Sequence, residues 1–328
     1  MTAVRNPGFP ESRLPRLARR VPWRHVLTLV PLVLVAVIAV QHWPVLVEGF
    51  GHLRDASWPW LLAAAGATCL TWVAAAFTRQ GAVIQPLPRW RLLATQLAAG
   101  SANHLLPTGL GSGAVNLRFM TVCGVPLSTS SAALALYLLA ESIARVGLMA
   151  VFFVAFPDAL RLDGLLPDGD VGPVLAVVAG ALVAVALAAL LLVRRVREPV
   201  FRFVRSALGE ARSVHTRPSR ALALWGGSLA FPALQAGGLV AVGRALGLDV
   251  PPAHMALAYL AATVAVALIP TPGGLGSVEA ALIVALVAAG GPVAVATAVV
   301  LAYRIITVWV PLLPGALTLG ALVRLKVI

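Results

Sequence analysis

The chain has 328 residues, of which 60% are hydrophobic and 11% charged, and its mean hydropathy is +0.92. Several apolar runs reach the roughly 20 residues that a helix needs to cross a bilayer, so the composition excludes an ordinary water-soluble protein and predicts a polytopic helical membrane protein. The formal charge of +13 would suit a nucleic-acid ligand, but no zinc-finger spacing or basic-region heptad accompanies it.

The cysteines and histidines predict neither a metal site nor a cofactor. Cys69 and Cys123 lie singly in apolar runs and form neither a CxxC motif nor a disulfide framework. The six histidines are scattered without the spacing of metal ligands. We therefore expect no cofactor and no bound metal.

The first predicted units are a basic cytoplasmic N-terminus, residues 1–25, and a first membrane half, residues 26–193. The apolar run from Val26 to Val40 has no small-residue cleavage site behind it, which predicts a retained first helix and not a signal peptide. A second helix is predicted at about residues 58–77.

Two short apolar limbs follow at about residues 92–123, separated by a proline- and glycine-containing break. Each limb is short for a full crossing, so the pair predicts a re-entrant hairpin. A long helix over residues 128–156 and another over about 171–193 complete the first half.

The linker at residues 194–220 is strongly basic and predicts a cytoplasmic segment. Within it Val200, Val204 and Leu208 fall at helical spacing with arginines on other faces, which describes an interfacial helix on anionic lipid. A solvated basic loop is the alternative.

The second membrane half, residues 221–328, contains a second predicted re-entrant hairpin at about residues 253–290. The last apolar run, residues 293–322, includes Pro311 and Pro314, and the sequence leaves open whether it crosses once or twice. The predicted fold is all-α, with about six full spans plus the two re-entrant helical hairpins.

The two halves carry related motifs in the same order. Pro-Thr followed by Gly-Leu-Gly-Ser begins at Pro107 and again at Pro270, where the second copy has two inserted residues. A glycine, a proline and a tyrosine then follow in both halves (Gly124, Pro126 and Tyr137; Gly290, Pro292 and Tyr303). Paired interrupted hydrophobic segments at matching positions are typical of a transporter whose site lies between inverted repeats.

Basic residues orient the predicted spans. Most of the 25 lysines and arginines fall in segments that are cytoplasmic if the N-terminus is inside, whereas the outer loops hold Arg54, Arg161 and Arg244. By the positive-inside rule both termini are predicted to be cytoplasmic, in the cell inner (plasma) membrane. The first hairpin then enters from the cytoplasm and the second from outside, which makes the repeat inverted.

Five ionisable side chains remain inside the hydrophobic segments: Arg118, Glu141, Arg145, Glu279 and Arg304. A charge at the centre of a membrane helix costs about 2.5 to 3.5 kcal/mol, so such groups are expected to face the interior and to have partners. Glu141 and Arg145 are spaced to pair along one helix face, and the alternative is a structural ion pair between helices. If they pair, the other three leave one surplus positive charge, which suits an anionic group such as a phosphate.

The breaks predict backbone that approaches a ligand, because half-helix N-termini present free N–H groups and the positive end of the helix dipole. Close helix packing is the alternative explanation for the glycines. The residues concerned are Pro107, Gly109, Gly111, Gly113, Pro270, Pro272, Gly273, Gly274, Gly276 and Ser277. Gly-Leu-Gly-Ser without a following Gly-Lys is not a nucleotide-binding P-loop. No catalytic constellation is visible, which favours a protein that is not an enzyme.

The run from Pro270 to Glu279, the earlier Leu106–Gly111, Arg118 and the pair Tyr303-Arg304 resemble the lysylphosphatidylglycerol synthase transmembrane, or flippase-like, family. The resemblance covers most of the chain from about Trp58. It departs at residues 112–114, where Ser-Gly-Ala stands in place of an acidic residue expected in many relatives.

That family includes the membrane half of the multiple peptide resistance factor, which is implied to move an aminoacylated lipid between leaflets while a soluble domain makes it. Because the sequence ends at Ile328, directly after its last apolar run, we expect no aminoacyl-transferase domain. Stand-alone members are implied to handle phospholipids, glycolipids or polyprenyl-phosphate carriers.

The leading hypothesis is an integral membrane lipid flippase-like transporter for an anionic or aminoacylated phospholipid or a lipid-linked glycan carrier. Membrane lipids with an anionic headgroup are the expected partners, nucleic acid is not, and a partner enzyme or a homo-oligomer stays open. Arg118 and Arg304 are predicted to contact phosphate, and Glu279 a cationic headgroup or a coupling proton. The predicted substrate-binding set is Arg118, Glu141, Arg145, Glu279, Tyr303 and Arg304.

Three alternatives remain at this point. A membrane-embedded transferase on a lipid-linked substrate would need a base such as Glu141, Glu279 or His104. A non-transporting scaffold for a cell-envelope enzyme would use its hairpins structurally. A proton-coupled carrier for a small soluble anion would be insensitive to lipid identity.

Overall fold

The computed structural model describes residues 56–105, 111–156, 211–266 and 276–328, together with residues 40, 43, 159, 208 and 209. All regular elements of these residues are helices. In chain order they are α1 (Trp58–Gly81), α2 (Arg89–Leu105), α3 (Gly111–Val122), α4 (Leu127–Ala155), α5 (Pro218–Ala245), α6 (Pro252–Val266), α7 (Ser277–Ala288), α8 (Val293–Arg304), a π-helix (Ile305–Trp309) and α9 (Val310–Arg324).

Four helical stretches in the described part of the chain are long and apolar enough to cross a membrane. They are α1, α4, α5 and the combined stretch Val293–Arg324. The all-helical membrane class predicted from composition is confirmed. Apart from residue 40, the predicted helices at residues 26–40 and 171–193 lie outside the described residues, and so do residues 194–207 and 210 of the linker.

Helices α1 and α5 form an antiparallel pair at the centre of the molecule. At one end the Ser57 N–H donates to the Ala245 carbonyl over 3.0 Å. At the other end Gly81 lies so close to α5 that an added Cβ would be 2.2 Å from the backbone nitrogen of Leu224. Small residues at both contact points let the two backbones approach, as in other packed membrane helices.

Helices α2 and α3 form the first helical hairpin. The Gln96 side-chain amide donates to the Asn116 Oδ1 over 3.0 Å, and a Cβ on Gly111 would be 2.1 Å from the Ala102 carbonyl oxygen. The base of this hairpin packs in one apolar cluster with Leu224 near the start of α5. Its tip, residues 106–110, lies outside the described residues.

Helices α6 and α7 form the second helical hairpin. Leu260 and Leu286 belong to one buried cluster that also contains Leu248 and Val250, which follow the end of α5. The two hairpins therefore start from opposite ends of the α1–α5 pair. The tip of the second, residues 267–275, lies outside the described residues.

The last apolar run is one continuous helical stretch of 32 residues, Val293–Arg324. At a rise of about 1.5 Å per residue it is about 48 Å long, and no reversal interrupts it. The π-helix ends at Trp309, two residues before Pro311. Because proline has no N–H to donate to the preceding turn, the wider turn at this point is consistent with the missing hydrogen bond. The sequence left open whether this run turns back on itself, and the structure shows one helical stretch without a reversal.

Candidate functional site

A central cavity of about 510 Å³ lies between the two hairpins and the long helices. Asn103 and Ser112 line it from the tip side of the first hairpin, and Thr263 and Val278 from the tip side of the second. Its volume falls within the roughly 300 to 1,000 Å³ that is usual for small-molecule sites. The described residues nearest the tips of both hairpins therefore face the same cavity.

Charged side chains line this cavity from three long helices. Arg79 comes from α1, Glu141 and Arg145 from α4, and Arg304 from the last turn of α8. Each charge is costly among apolar helices unless it is paired or solvated in a cavity. Which of these charged side chains are already paired with each other determines the charge of the ligand that the site can bind.

Arg304 is paired with Glu279. The Arg304 Nε donates to the Glu279 Oε1 over 2.6 Å, and the two side chains are only 9% and 17% exposed. The other carboxylate oxygen, Oε2, accepts the Gly276 N–H at the start of α7 over 2.7 Å. Gly276 has φ of 86°, in the left-handed region that glycine adopts at little cost. Glu279 thus caps its own helix and holds the arginine at once.

One nitrogen of the Arg304 guanidinium makes no hydrogen bond within the described part of the chain. This nitrogen, Nη2, is also buried. An unpaired buried donor costs about 1 to 3 kcal/mol, so this N–H group would gain from a hydrogen-bond acceptor that reached it.

The second ion pair joins Arg79 to Glu141, and the Arg79 guanidinium also lies over the Tyr137 ring, 4.3 Å from its centroid. This corrects the expected pairing of Glu141 with Arg145. The sequence placed Arg79 in a cytoplasmic segment because the apolar run ends at Phe77, but α1 continues to Gly81 and Arg79 is buried. The sequence did contain a signal for this pair. Arg79 lies within one turn of the end of the apolar run, so the helix could extend to include it, and an intramembrane acid such as Glu141 needs a basic partner.

Arg145 lines the cavity without an ion pair to any described residue. Arg79, Arg145 and Arg304 line the cavity with Glu141, whereas Glu279 holds Arg304 without lining it. These five described side chains together leave one surplus positive charge, on Arg145. The sequence predicted the same surplus but assigned it differently. Arg118 is exposed on α3 and is not among the residues that line the cavity.

Tyr303 lies in the cavity wall beside a second tyrosine. Its hydroxyl donates to the Gln235 carbonyl over 3.2 Å, while the Tyr259 hydroxyl donates to the Gln235 Oε1 over 2.8 Å. The two rings meet edge to face, with centroids 6.0 Å apart. This arrangement fixes one wall of the site.

Gly111 and Gly113, the described glycines of the first break, differ in how closely they pack against neighbouring residues. Gly111 contacts the Ala102 backbone, which is close helix packing, whereas a Cβ on Gly113 would make an ordinary 3.6 Å contact with Leu134. Gly276 and Ser277 stand at the start of α7. The remaining break residues lie outside the described residues: Pro107, Gly109, Pro270, Pro272, Gly273 and Gly274.

The comparison with protein-family models matches residues 27–315 to the family described as the lysylphosphatidylglycerol synthase TM region. The match covers most of the chain and includes every residue that lines the central cavity. A search of curated proteins finds no match.

Proposed function

The chain belongs to the lysylphosphatidylglycerol synthase TM-region family, and from that premise we propose that it is a flippase-like transporter that moves the headgroup of a membrane lipid through the central cavity. The observation that carries the proposal is the surplus positive charge of a cavity that lies between the two hairpins and the long apolar helices. A lipid headgroup would occupy the cavity while the acyl chains stay in the bilayer.

The two hairpins support transport across the bilayer. They start from opposite ends of the α1–α5 pair, and the described residues nearest their tips face the cavity. We interpret them as re-entrant hairpins of an inverted repeat, an architecture in which a site near the midplane is opened alternately to either side. Under the predicted orientation in the plasma membrane, with both termini inside, the first hairpin faces the cytoplasm and the second the outside.

The charge of the cavity favours an anionic headgroup over an aminoacylated one. Glu141 and Glu279, the two acids within apolar segments, each hold an arginine. The ammonium of an aminoacylated headgroup would have to displace an arginine from one of them. A phosphate instead gains Arg145, which lines the cavity without an ion pair to any described residue, and charge-assisted hydrogen bonds from arginine to phosphate are strong. An anionic phospholipid or a lipid-linked phosphate carrier is therefore the preferred substrate class.

The same pairing argues against the transferase alternative. A general base needs a group that is free to accept a proton in reach of the substrate. Glu141, which lines the cavity, and Glu279, which holds Arg304, are each engaged by a guanidinium group, so neither is free to accept a proton from a substrate without breaking its ion pair. Transport needs no such base.

The test compares Arg145→Gln with Arg244→Gln, an exposed arginine in the last turn of α5 that does not line the cavity. Both variants lose one positive charge. In proteoliposomes with a fluorescent phosphatidylglycerol, chemical quenching from outside measures transfer between leaflets. We expect wild type and Arg244→Gln to transfer the lipid, and Arg145→Gln to be at least about tenfold slower, because a lost charged hydrogen bond costs about 1.5 to 3 kcal/mol.

Equal transfer by both variants would remove Arg145 from the site. Transfer by neither wild type nor variant above protein-free vesicles would favour a scaffold. Faster transfer of lysylphosphatidylglycerol than of phosphatidylglycerol would contradict the preference for an anionic headgroup. Melting temperatures of the purified variants separate loss of transport from loss of fold.

A further inference from the structure

A second cavity of about 620 Å³ lies away from the central one, at the base of the first hairpin. It is formed where the loop before α2 and the end of α3 meet the last turn of α9. None of its lining residues belongs to the central cavity. We call it the basal groove.

The basal groove combines an apolar wall with positive charge. Ala94, Val122 and Leu322 contribute apolar surface, and Arg91 and Lys326 contribute the charges. No acidic side chain is among the described residues that line it. The groove is thus complementary to an amphiphile with an anionic headgroup.

Trp90 indicates the level in the membrane at which the basal groove lies. Its side chain lines the groove and is 85% exposed. Exposed tryptophans of membrane proteins concentrate at the level of the lipid headgroups, where the ring is apolar and the indole N–H can donate. The groove therefore opens where a headgroup and the start of its acyl chains would be found.

Lys326 stands at this groove in an unusual conformation. Its φ is 55°, and no other described non-glycine residue has a positive φ. The Lys326 N–H donates to the Val323 carbonyl and the Val327 N–H to the Leu322 carbonyl, which is the usual end of a helix, where glycine is preferred. A lysine here supplies a charge that a glycine would not.

We propose that the basal groove binds an anionic phospholipid, with its phosphate at Arg91 and Lys326 and its acyl chains against the apolar wall. Under the predicted orientation the lipid comes from the cytoplasmic leaflet. The site is independent of transport through the central cavity and would stand if the transport proposal failed.

The experiment uses the full chain in mixed micelles that contain equal amounts of phosphatidylglycerol and phosphatidylcholine with the same acyl chains. Native mass spectrometry counts the lipids of each kind that stay bound. The test variant is Arg91→Gln/Lys326→Gln. The matched control is Arg89→Gln/Arg324→Gln, which removes the same charge from two exposed neighbours that do not line the groove.

We expect wild type and control to retain phosphatidylglycerol over phosphatidylcholine, and the test variant to bind it about 25-fold more weakly, since each basic residue near anionic lipid is worth about fivefold in affinity. A photoactivatable phosphatidylglycerol should crosslink to the segments 86–94 and 322–327 in wild type. Arg145→Gln, which alters only the central cavity, should leave this crosslink unchanged, and Lys326→Arg should retain it.

Three results would overturn the proposal. Equal loss in the test and control variants would mean general surface attraction and no site. Displacement of the lipid by inorganic phosphate at equal concentration would mean a simple anion site. Loss of a dimer in the test variant, with no change in bound lipid, would mean that a second copy of the chain occupies the groove.

Discussion

At the scale of single residues, Glu279 connects two helices beside the site. It accepts from the Arg304 Nε and from the Gly276 N–H, so it joins the second hairpin to the end of α8. Removing a single partner of a buried ion pair leaves an uncompensated charge. Glu279 does not line the cavity itself, and its role is to hold the cavity arginine Arg304 and the start of α7 in place.

We expect Glu279→Gln to lower the free energy of unfolding by about 3 kcal/mol, because Arg304 would be left buried without a counter-charge. The glutamine can still accept the Gly276 N–H, so the start of α7 should persist. The double variant Glu279→Gln/Arg304→Gln should be less destabilised than the single one. Denaturation in detergent measures the stability of the single and the double variant. The control is Asp249→Asn, which replaces an exposed acid. A double variant as unstable as the single one would argue against the pair.

At the scale of elements, the central pair α1–α5 depends on glycines at its contact points. A Cβ on Gly227 would lie 2.4 Å from the Thr78 Oγ1 and 2.6 Å from the Ala74 carbonyl oxygen, whereas a Cβ on the adjacent Gly226 would meet nothing within 4 Å. The two positions share sequence context and helical conformation and differ in what they face.

We expect Gly227→Ala to destabilise the protein by about 1 to 3 kcal/mol, the usual cost of overpacking. Gly226→Ala should be neutral or stabilising by up to about 1 kcal/mol, because alanine is the better helix former. The melting temperature of each variant in the same detergent gives the comparison. Equal melting temperatures would show that α1 and α5 are not in contact at Gly227.

At the scale of the whole molecule, the continuous helix Val293–Arg324 separates Arg324 from the loop before α6, because the helix begins just after Gly291, which lies against Leu248 and Val250 of that loop. We propose that this helix crosses the membrane once, which puts Arg324 and that loop on opposite sides. The predicted orientation places Arg324 inside and Asp249 outside.

This arrangement predicts opposite labelling of two introduced cysteines. In a Cys69→Ser/Cys123→Ser background, a membrane-impermeant maleimide added to intact cells should label Asp249→Cys and spare Arg324→Cys. Both native residues are exposed. Labelling of both from outside would contradict the single passage, and labelling of Arg324→Cys alone would invert the orientation.

The sequence by itself determined the all-helical membrane class and the four long apolar helices of the described residues, because these follow from local properties. A run of about 20 apolar residues can only be satisfied as a helix in lipid, and prolines and glycines interrupt helices wherever they cluster. The family could likewise be recognised from the run Pro270–Glu279 and the pair Tyr303-Arg304, and the family match confirms it.

Only the tertiary structure decided which charges meet. Spacing along α4 made Arg145 the natural partner of Glu141, but the carboxylate instead pairs with Arg79 of α1, distant in sequence. Arg118 looked equivalent to Arg145 in an apolar run, yet it is exposed on α3. Ion pairs between helices depend on how the helices rotate and pack against one another. This packing leaves Arg145 as the cavity arginine without an ion pair among the described residues, and it is the side chain that we propose binds phosphate.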